Sequence, residues 1–357
     1  MLSLNSNAQT NQMYLNRVGF INLEVGYDVH VVGDYAYVTN DDGLMIVDIS
    51  NPSKPVKVGE VNIAGGALTS QISDDIAYIS SVTPGFIITN ISDPQNPQII
   101  GQTIDASSGY QILISGSLAY VSHESSGLSI FNISDPSNPI GVDYEYNQYT
   151  TGLEIVDSIL YVGNPVVGLR IYNISNPTDI SLIKTIPGTS GIFDIHITND
   201  IMFLACHQYG IKVFDITIPT SPSLLDIEDE DDSYEEEGKA YGLVERDELL
   251  YVADFYGVEV FNVTDPTEVI EIVERSSDVS AAYDIAVDDE YIYVALSGGL
   301  LILKLSTTPE SSPPDLLLPI IIIIIISVVI FVVGITVFLY LRFIRFRFTG
   351  KKVKIKN

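Results

Sequence analysis

Apolar and polar residues alternate in short runs along most of this chain, the period-two signature of half-buried β-strands. Residues 27–63 hold four such runs, "YDVHVV", "YAYVTN", "GLMIVDIS" and "PVKVGEVNI", each containing β-branched or aromatic residues. Turn chemistry separates them, with "GD" between the first and second and "SNPSKP" between the third and fourth. The dipeptide suits a tight hairpin, whereas the prolines forbid a regular strand. Four strands therefore make one unit of about 42 residues.

The unit recurs along the chain. A glycine followed by an apolar residue stands at Gly43, Gly85, Gly127, Gly168, Gly210, Gly257 and Gly299, at spacings of 42, 42, 41, 42, 47 and 42. An aromatic residue precedes each glycine by six or seven positions, at Tyr37, Tyr78, Tyr120, Tyr161, Phe203, Tyr251 and Tyr293, and fixes the same register independently.

A four-stranded unit of this size cannot bury both its faces alone, so neighbours must stack, and seven such sheets around an axis form an all-β, seven-bladed propeller. The two ends of the repeat region point to a closed ring. The stretch "YLNRVGFINLEVG" (Tyr14 to Gly26) matches the fourth-strand stretch "PVKVGEVNIAGG", while the last copy stops after its third strand, "GLLILKLS". The first strand of the chain is thus expected to complete the last blade and remove the exposed edges. An open solenoid would need capping repeats and leaves that stray strand unexplained.

The segments "GLMIVDISNP" (Gly43 to Pro52), "GLSIFNISDPSNP" (Gly127 to Pro139) and "GIKVFDITIP" (Gly210 to Pro219) resemble the LVIVD-repeat proteins, a family of prokaryotic surface-type propellers. The resemblance covers about Tyr14 to Ser306; the seventh copy departs from it at "KLSTTP", where the Asp/Asn-to-Pro segment is lost. It implies a fold and a surface location, and no reaction.

The pattern changes abruptly after the repeats. Leu316 to Leu341 are 26 residues without a charge, about 39 Å as a helix against a hydrocarbon core of ~30 Å. The tail beyond, residues 342–357, carries seven basic residues and no acidic one. That asymmetry predicts a single-pass transmembrane helix with a cytoplasmic C-terminus and an extracellular head at the cell membrane. Residues 306–315, "STTPESSPPD", read as a Pro/Ser linker. Residues 1–13 lack a basic n-region and an apolar core, yet "SLNSNAQT" resembles the end of a signal peptide cleaved after Ala8. A tail-anchored protein with a cytosolic head is the competing topology.

Charge and composition then narrow the function. All 46 acidic residues lie at or before Asp315, and seven of the 17 basic ones lie beyond it. The head, residues 14–305, is strongly acidic and should repel nucleic acid. A single cysteine, Cys206, excludes an intrachain disulfide framework and a zinc cluster, and reads as a small buried residue. The absence of Trp excludes the sialidase box and the tryptophan docking motifs of quinone-dependent dehydrogenases, and no nucleotide loop is present. His30 and His196 occupy the same place in the innermost strands of blades one and five, and His123 and His207 lie toward loops. With no motif spacing among them, packed histidines are the expectation and catalysis is not.

Three patterns remain as candidate sites. The position after the inner-strand aromatic holds Asp28, Thr69, Gln111, Gly152, Asp194, Gly242 and Asp284, a polar ring if it faces the axis. Asp28, Asp194 and Asp284 offer hard oxygens suited to Ca²⁺, the one cofactor the sequence leaves open. The acidic run "DIEDEDDSYEEE" (Asp226 to Glu237), which includes Asp229, Asp231 and Glu235, accounts for the 47-residue spacing and lacks an EF-hand pattern. It shares one propeller face with diverse second-to-third-strand loops carrying Tyr209, Phe255 and Tyr256, a surface suited to a protein or glycan partner. Asn90, Asn132, Asn173 and Asn262 each begin Asn-x-Ser/Thr and would suit glycosylation, but Asp48 and Asp215 fill the same position, so a side-chain-to-backbone bond explains them equally.

Overall fold

The computed structural model describes residues 12–82, 85–103, 109–123, 126–145, 149–228, 239–273 and 281–309. These form seven four-stranded antiparallel sheets. In the first blade the strands are Asp28–Val32, Tyr35–Asn40, Gly43–Asp48 and Val56–Asn62, paired in sequence order. The next five blades repeat this order without crossover.

The seventh blade closes the ring as the sequence predicts. Tyr14–Asn22 pairs antiparallel with Gly299–Ser306, from Tyr14 opposite Ser306 to Asn22 opposite Gly299. Behind it lie Ile292–Leu296 and Ala282–Val287, which runs innermost. The core sits between blades rather than within them. Tyr293, Leu300 and Ile302 of blade seven pack with Val29, Val38 and Met45 of blade one, which closes the circle with buried apolar surface. Phe86 stacks on Phe131 across blades two and three, with ring centroids 5.2 Å apart.

Backbone geometry explains the repeat glycine. All seven repeat glycines have φ between +65° and +154°, a region that costs a side-chain-bearing residue strain. A Cβ at Gly43 would also collide with the Val61 carbonyl oxygen, and one at Gly299 with that of Ile21. The first hairpin of blades one to six turns through positive φ as well, at Gly33, Asp74, Gly116, Asp157, Asn199 and Asp247, which is why Gly, Asp and Asn recur there.

A second device links the outer strands of blades seven, one, two, three and five to the proline turn of the next blade. Gly19, Gly59 and Gly101 leave room for the carbonyls of Pro52, Pro94 and Pro136, and a Cβ at any of them would strike that oxygen. Blades three and five carry Asp143 and Asp226 at this position. Their carboxylates accept the N–H of Ile180 at 3.3 Å and of Val269 at 2.8 Å. Ile180 and Val269 stand where the preceding turns have Pro55, Pro97 and Pro139. Where the turn residue has no N–H, glycine suffices opposite it; where it has one, a carboxylate satisfies it.

Among the described residues no helix is long and apolar enough to cross a membrane. The predicted span Leu316 to Leu341, its linker beyond Pro309 and the basic tail lie outside the described residues, as do residues 1–11.

Candidate functional site

The innermost strands bring one aromatic and one ring-position residue from most blades to the axis. Tyr27, Tyr110, Phe193, Tyr241 and Tyr283 each directly precede a ring position and line one end of the channel, around a cavity of about 280 Å³. Their rings form a continuous arc. Centroids lie 6.0 Å apart for Tyr27 and Tyr283, 5.8 Å for Tyr283 and Tyr241, 5.4 Å for Tyr241 and Phe193, and 5.8 Å for Phe193 and Tyr110. These tilted and edge-on contacts suit the ring quadrupoles and fix the wall. Blade two gives Leu68 to this lining instead of an aromatic.

Beneath the arc, Asp28, Thr69, Gln111, Asp194, Gly242 and Asp284 form the floor. The polar side chains also tie neighbouring blades together. Asp284 accepts the Val29 N–H at 2.9 Å, Asp28 accepts the Ser70 N–H at 3.0 Å, and Asp194 accepts the Leu243 N–H at 3.0 Å. Gln111 likewise accepts the Leu153 N–H through its amide oxygen. Each acceptor reaches the residue one past the ring position of the following blade. The acceptors stand on blades one, three, five and seven, and the small residues Thr69, Gly152 and Gly242 fill the blades between. Gln111 Nε2 also donates to Asp194 Oδ1 across the axis at 3.1 Å.

Below this floor lies a second chamber of about 340 Å³, whose lining includes Gln71, His30, His196 and Glu154. Among the described residues no Lys or Arg lines either chamber. Burial pushes Asp28 up to about 7 against the lowering effect of its Ser70 and Thr69 bonds, with Asp194 adding to the rise. Burial raises Asp284 to about 8, helped by the charge of Asp28, and raises Asp194 to about 6. Glu154 rises to about 7 through burial and then the charge of Asp194. His30 and His196 are pushed down by burial.

The Ca²⁺ expectation does not fit this geometry. Among the described residues no three His, Cys, Asp or Glu side chains are grouped to share a metal ion. The reason is visible in the bonding: Asp28, Asp194 and Asp284 are each turned toward the following blade's strand by its N–H. The other sequence candidates divide. Phe255 and Tyr256 pack edge-on at 5.1 Å, and Phe255 lies 6.5 Å from Tyr241, so both extend the aromatic arc outward. Tyr209 is half exposed beneath the Lys212 ammonium, 5.9 Å from its ring, and stands apart from the arc. Asp229, Asp231 and Glu235 lie outside the described residues.

The sequon residues all make the expected local bond. Asn90, Asn132, Asn173 and Asn262 each accept the N–H two residues on at 2.9 Å. Asp48 and Asp215 do the same for Ser50 and Thr217. Cys206 is buried. His123 is buried too, with Nε2 bonded to Ser129 Oγ at 2.7 Å. His207, expected only as a packed residue, stacks on Phe193 at 4.9 Å and meets Tyr241 edge-on at 5.3 Å. It belongs to the aromatic wall, and no spacing in the sequence signals this, because the Phe193 contact joins a second-to-third-strand loop to the start of the inner strand of the same blade and the Tyr241 contact joins two blades.

A closed, seven-bladed propeller with an aromatic-walled axial cavity is the class that fold and site define. Residues 26–63, 64–104, 108–145 and 280–312 match the LVIVD repeat model. The chain therefore carries LVIVD repeats, in blades one, two, three and seven. No curated protein matches it. Among solved structures it is similar to virginiamycin B lyase from Staphylococcus aureus, at 17% identity and a TM-score of 0.63 over 83% of this chain and 99% of that one. It is also similar to Sqt1 of Saccharomyces cerevisiae, at 8% identity and 0.61 over 82% and 99%. A third likeness is to PorZ, described as a surface component of the type-IX secretion system of Porphyromonas gingivalis, at 13% identity and 0.58 over 84% and 39%. These likenesses establish the fold alone.

Proposed function

We propose that this protein is a membrane-anchored recognition module, without catalytic activity, that presents the aromatic end of its axial channel outside the cell to a surface protein or glycan. The observation that carries this reading is the arc of Tyr27, Tyr110, Phe193, Tyr241 and Tyr283, extended outward by Phe255 and Tyr256. Aromatic rings give large contact area at low entropic cost, and a concave site lined by them with a few convergent polar groups is what small-ligand and side-chain recognition requires. The anchor reading rests on the uncharged run Leu316 to Leu341 and the seven basic residues after it.

A second reading has one observation in its favour. His30, His196 and Glu154 line the same inner chamber, and burial raises Glu154 to about 7, a value at which a carboxyl can exchange protons near neutrality. That chamber lies behind the carboxylate floor, which makes it the weaker candidate for contact with a large partner.

The orientation has a direct test. Protease added to intact cells that express the chain with its native upstream sequence is expected to remove the head and leave a small anchored fragment. A head that stays intact until the cells are lysed would make the protein tail-anchored with its propeller in the cytosol.

A further inference from the structure

We infer that the aromatic chamber is a site for an organic cation, an alkylated ammonium group seated among Tyr27, Tyr110, Phe193, Tyr241 and Tyr283. This deepens the recognition reading above and rests on it. The chamber combines the two features such a cation needs. Its wall is aromatic, and ring faces attract a positive charge that carries little water. Its floor holds Asp28, Asp194 and Asp284, and among the described residues no Lys or Arg lines the chamber; His30, 4.0 Å from Asp28 through Nε2, lines the chamber below. Burial holds those carboxyls toward their protonated form, so a neutral ligand gains nothing from their charge, whereas a cation above them draws them toward the ionised form and gains the attraction.

The geometry also selects among cations. A small inorganic ion requires several convergent oxygens, and among the described residues no such group exists. A primary ammonium must aim three donors at acceptors, and one oxygen of each floor carboxylate, with the Gln111 oxygen, already accepts an N–H at Val29, Ser70, Leu243 or Leu153, which restricts how such donors can be met. An alkylated ammonium has few or no N–H donors to satisfy and gains from the ring faces instead. A volume of about 280 Å³ admits such a headgroup with part of its stem. The protein uses the same attraction at the rim, where the Lys239 ammonium lies 5.3 Å from the centre of the Phe255 ring.

Choline and its uncharged carbon isostere 3,3-dimethylbutan-1-ol are the probes, added to the purified full chain in detergent at physiological salt. Choline is expected to bind at least about tenfold more tightly than the isostere by calorimetry, and its methyl protons should shift upfield in NMR through the ring currents of the wall. Tyr241→Leu is expected to abolish the shift while Tyr241→Phe retains it, with melting curves confirming that each variant is folded. Equal binding of the two probes would make the chamber merely apolar and overturn the inference. So would choline binding without an upfield shift, which is diffuse attraction to an acidic surface, and so would absence of binding. None of these outcomes touches the recognition reading itself, which is read from where a partner covers the head.

Discussion

Deleting the chain through Asn22 is expected to destabilise the whole head rather than trim one edge. Tyr14–Asn22 supplies the outer strand of the blade formed by Ala282–Val287, Ile292–Leu296 and Gly299–Ser306. Its removal exposes the N–H and C=O row of the Gly299–Ser306 strand and withdraws Leu15, Val18 and Ile21 from the clusters on either side of blade seven. It also removes Gly19, against which the Pro52 carbonyl of blade one packs. Three partly buried aliphatic side chains at about 1 kcal/mol each, together with a lost ladder, amount to roughly 5 kcal/mol, a large share of the ~5–15 kcal/mol that holds a domain together. The melting temperature should fall by about 10 °C or more, at roughly 2–4 °C per kcal/mol. A truncated head that melts within a few degrees of the intact protein would contradict ring closure.

Stability is expected to fall as pH rises from about 5 to 8, and Asp284→Asn should abolish much of that fall. Burial raises the folded pKa values of Asp28, Asp194 and Asp284 to about 7, 6 and 8, with neighbouring carboxylate charge adding to the rise at Asp28 and Asp284. A raised carboxyl binds its proton more tightly folded than unfolded, so its contribution is fully present below the unfolded value near 4 and is lost as pH rises through the folded value. Glu154, raised to about 7, acts in the same direction. His30 and His196 oppose it, because burial lowers their pKa and their contribution is lost as pH falls below about 6.5. The exposed Asp48, Asp135, Asp215 and Asp265 are held low by Ser and Thr bonds, and they matter only below pH ~4. An optimum near pH 5–6 follows. Asp284→Asn keeps an acceptor for the Val29 N–H and removes the charge, so the variant should be more stable than the parent at pH 8 by on the order of 1–3 kcal/mol. Parallel melting profiles for the two proteins across this range would show that the floor carboxyls are not coupled to folding.

Much of the architecture was legible because it is repetitive. A glycine that must take positive φ and an aromatic at fixed distance recur in every blade, so each copy tests the others. Closure was legible for a related reason: the fourth-strand glycine recurs as Gly19 at the start of the chain and as Gly59 in the first copy. The pairing of Asp143 with Ile180 and of Asp226 with Val269 was not, since each pair joins two blades and its meaning rests on an N–H that a proline lacks.

The site was half legible. The sequence marked the polar ring, and the aromatic preceding it served only as a landmark; the structure turns that landmark into the wall of a chamber. Sequence chemistry left Ca²⁺ open at three aspartates because carboxylates at one repeat position suggest convergence. It could not show that each carboxylate is drawn sideways by the N–H of the following blade. His207 shows the same limit, as its edge-on contact with Tyr241 is set by the angle between blades five and six.

Hydroxyl-radical footprinting of the protein on the cells that display it, compared with the purified protein, measures the central claim most directly. The account expects reduced oxidation at Tyr27, Tyr241, Tyr283, Phe255 and Tyr256, which share the aromatic end of the channel. Tyr35 begins, and Tyr291 directly precedes, a second strand at the hairpin-turn end, so they should be unchanged. Protection of Tyr35 and Tyr291 with none at the channel would place recognition on the opposite face and contradict the account.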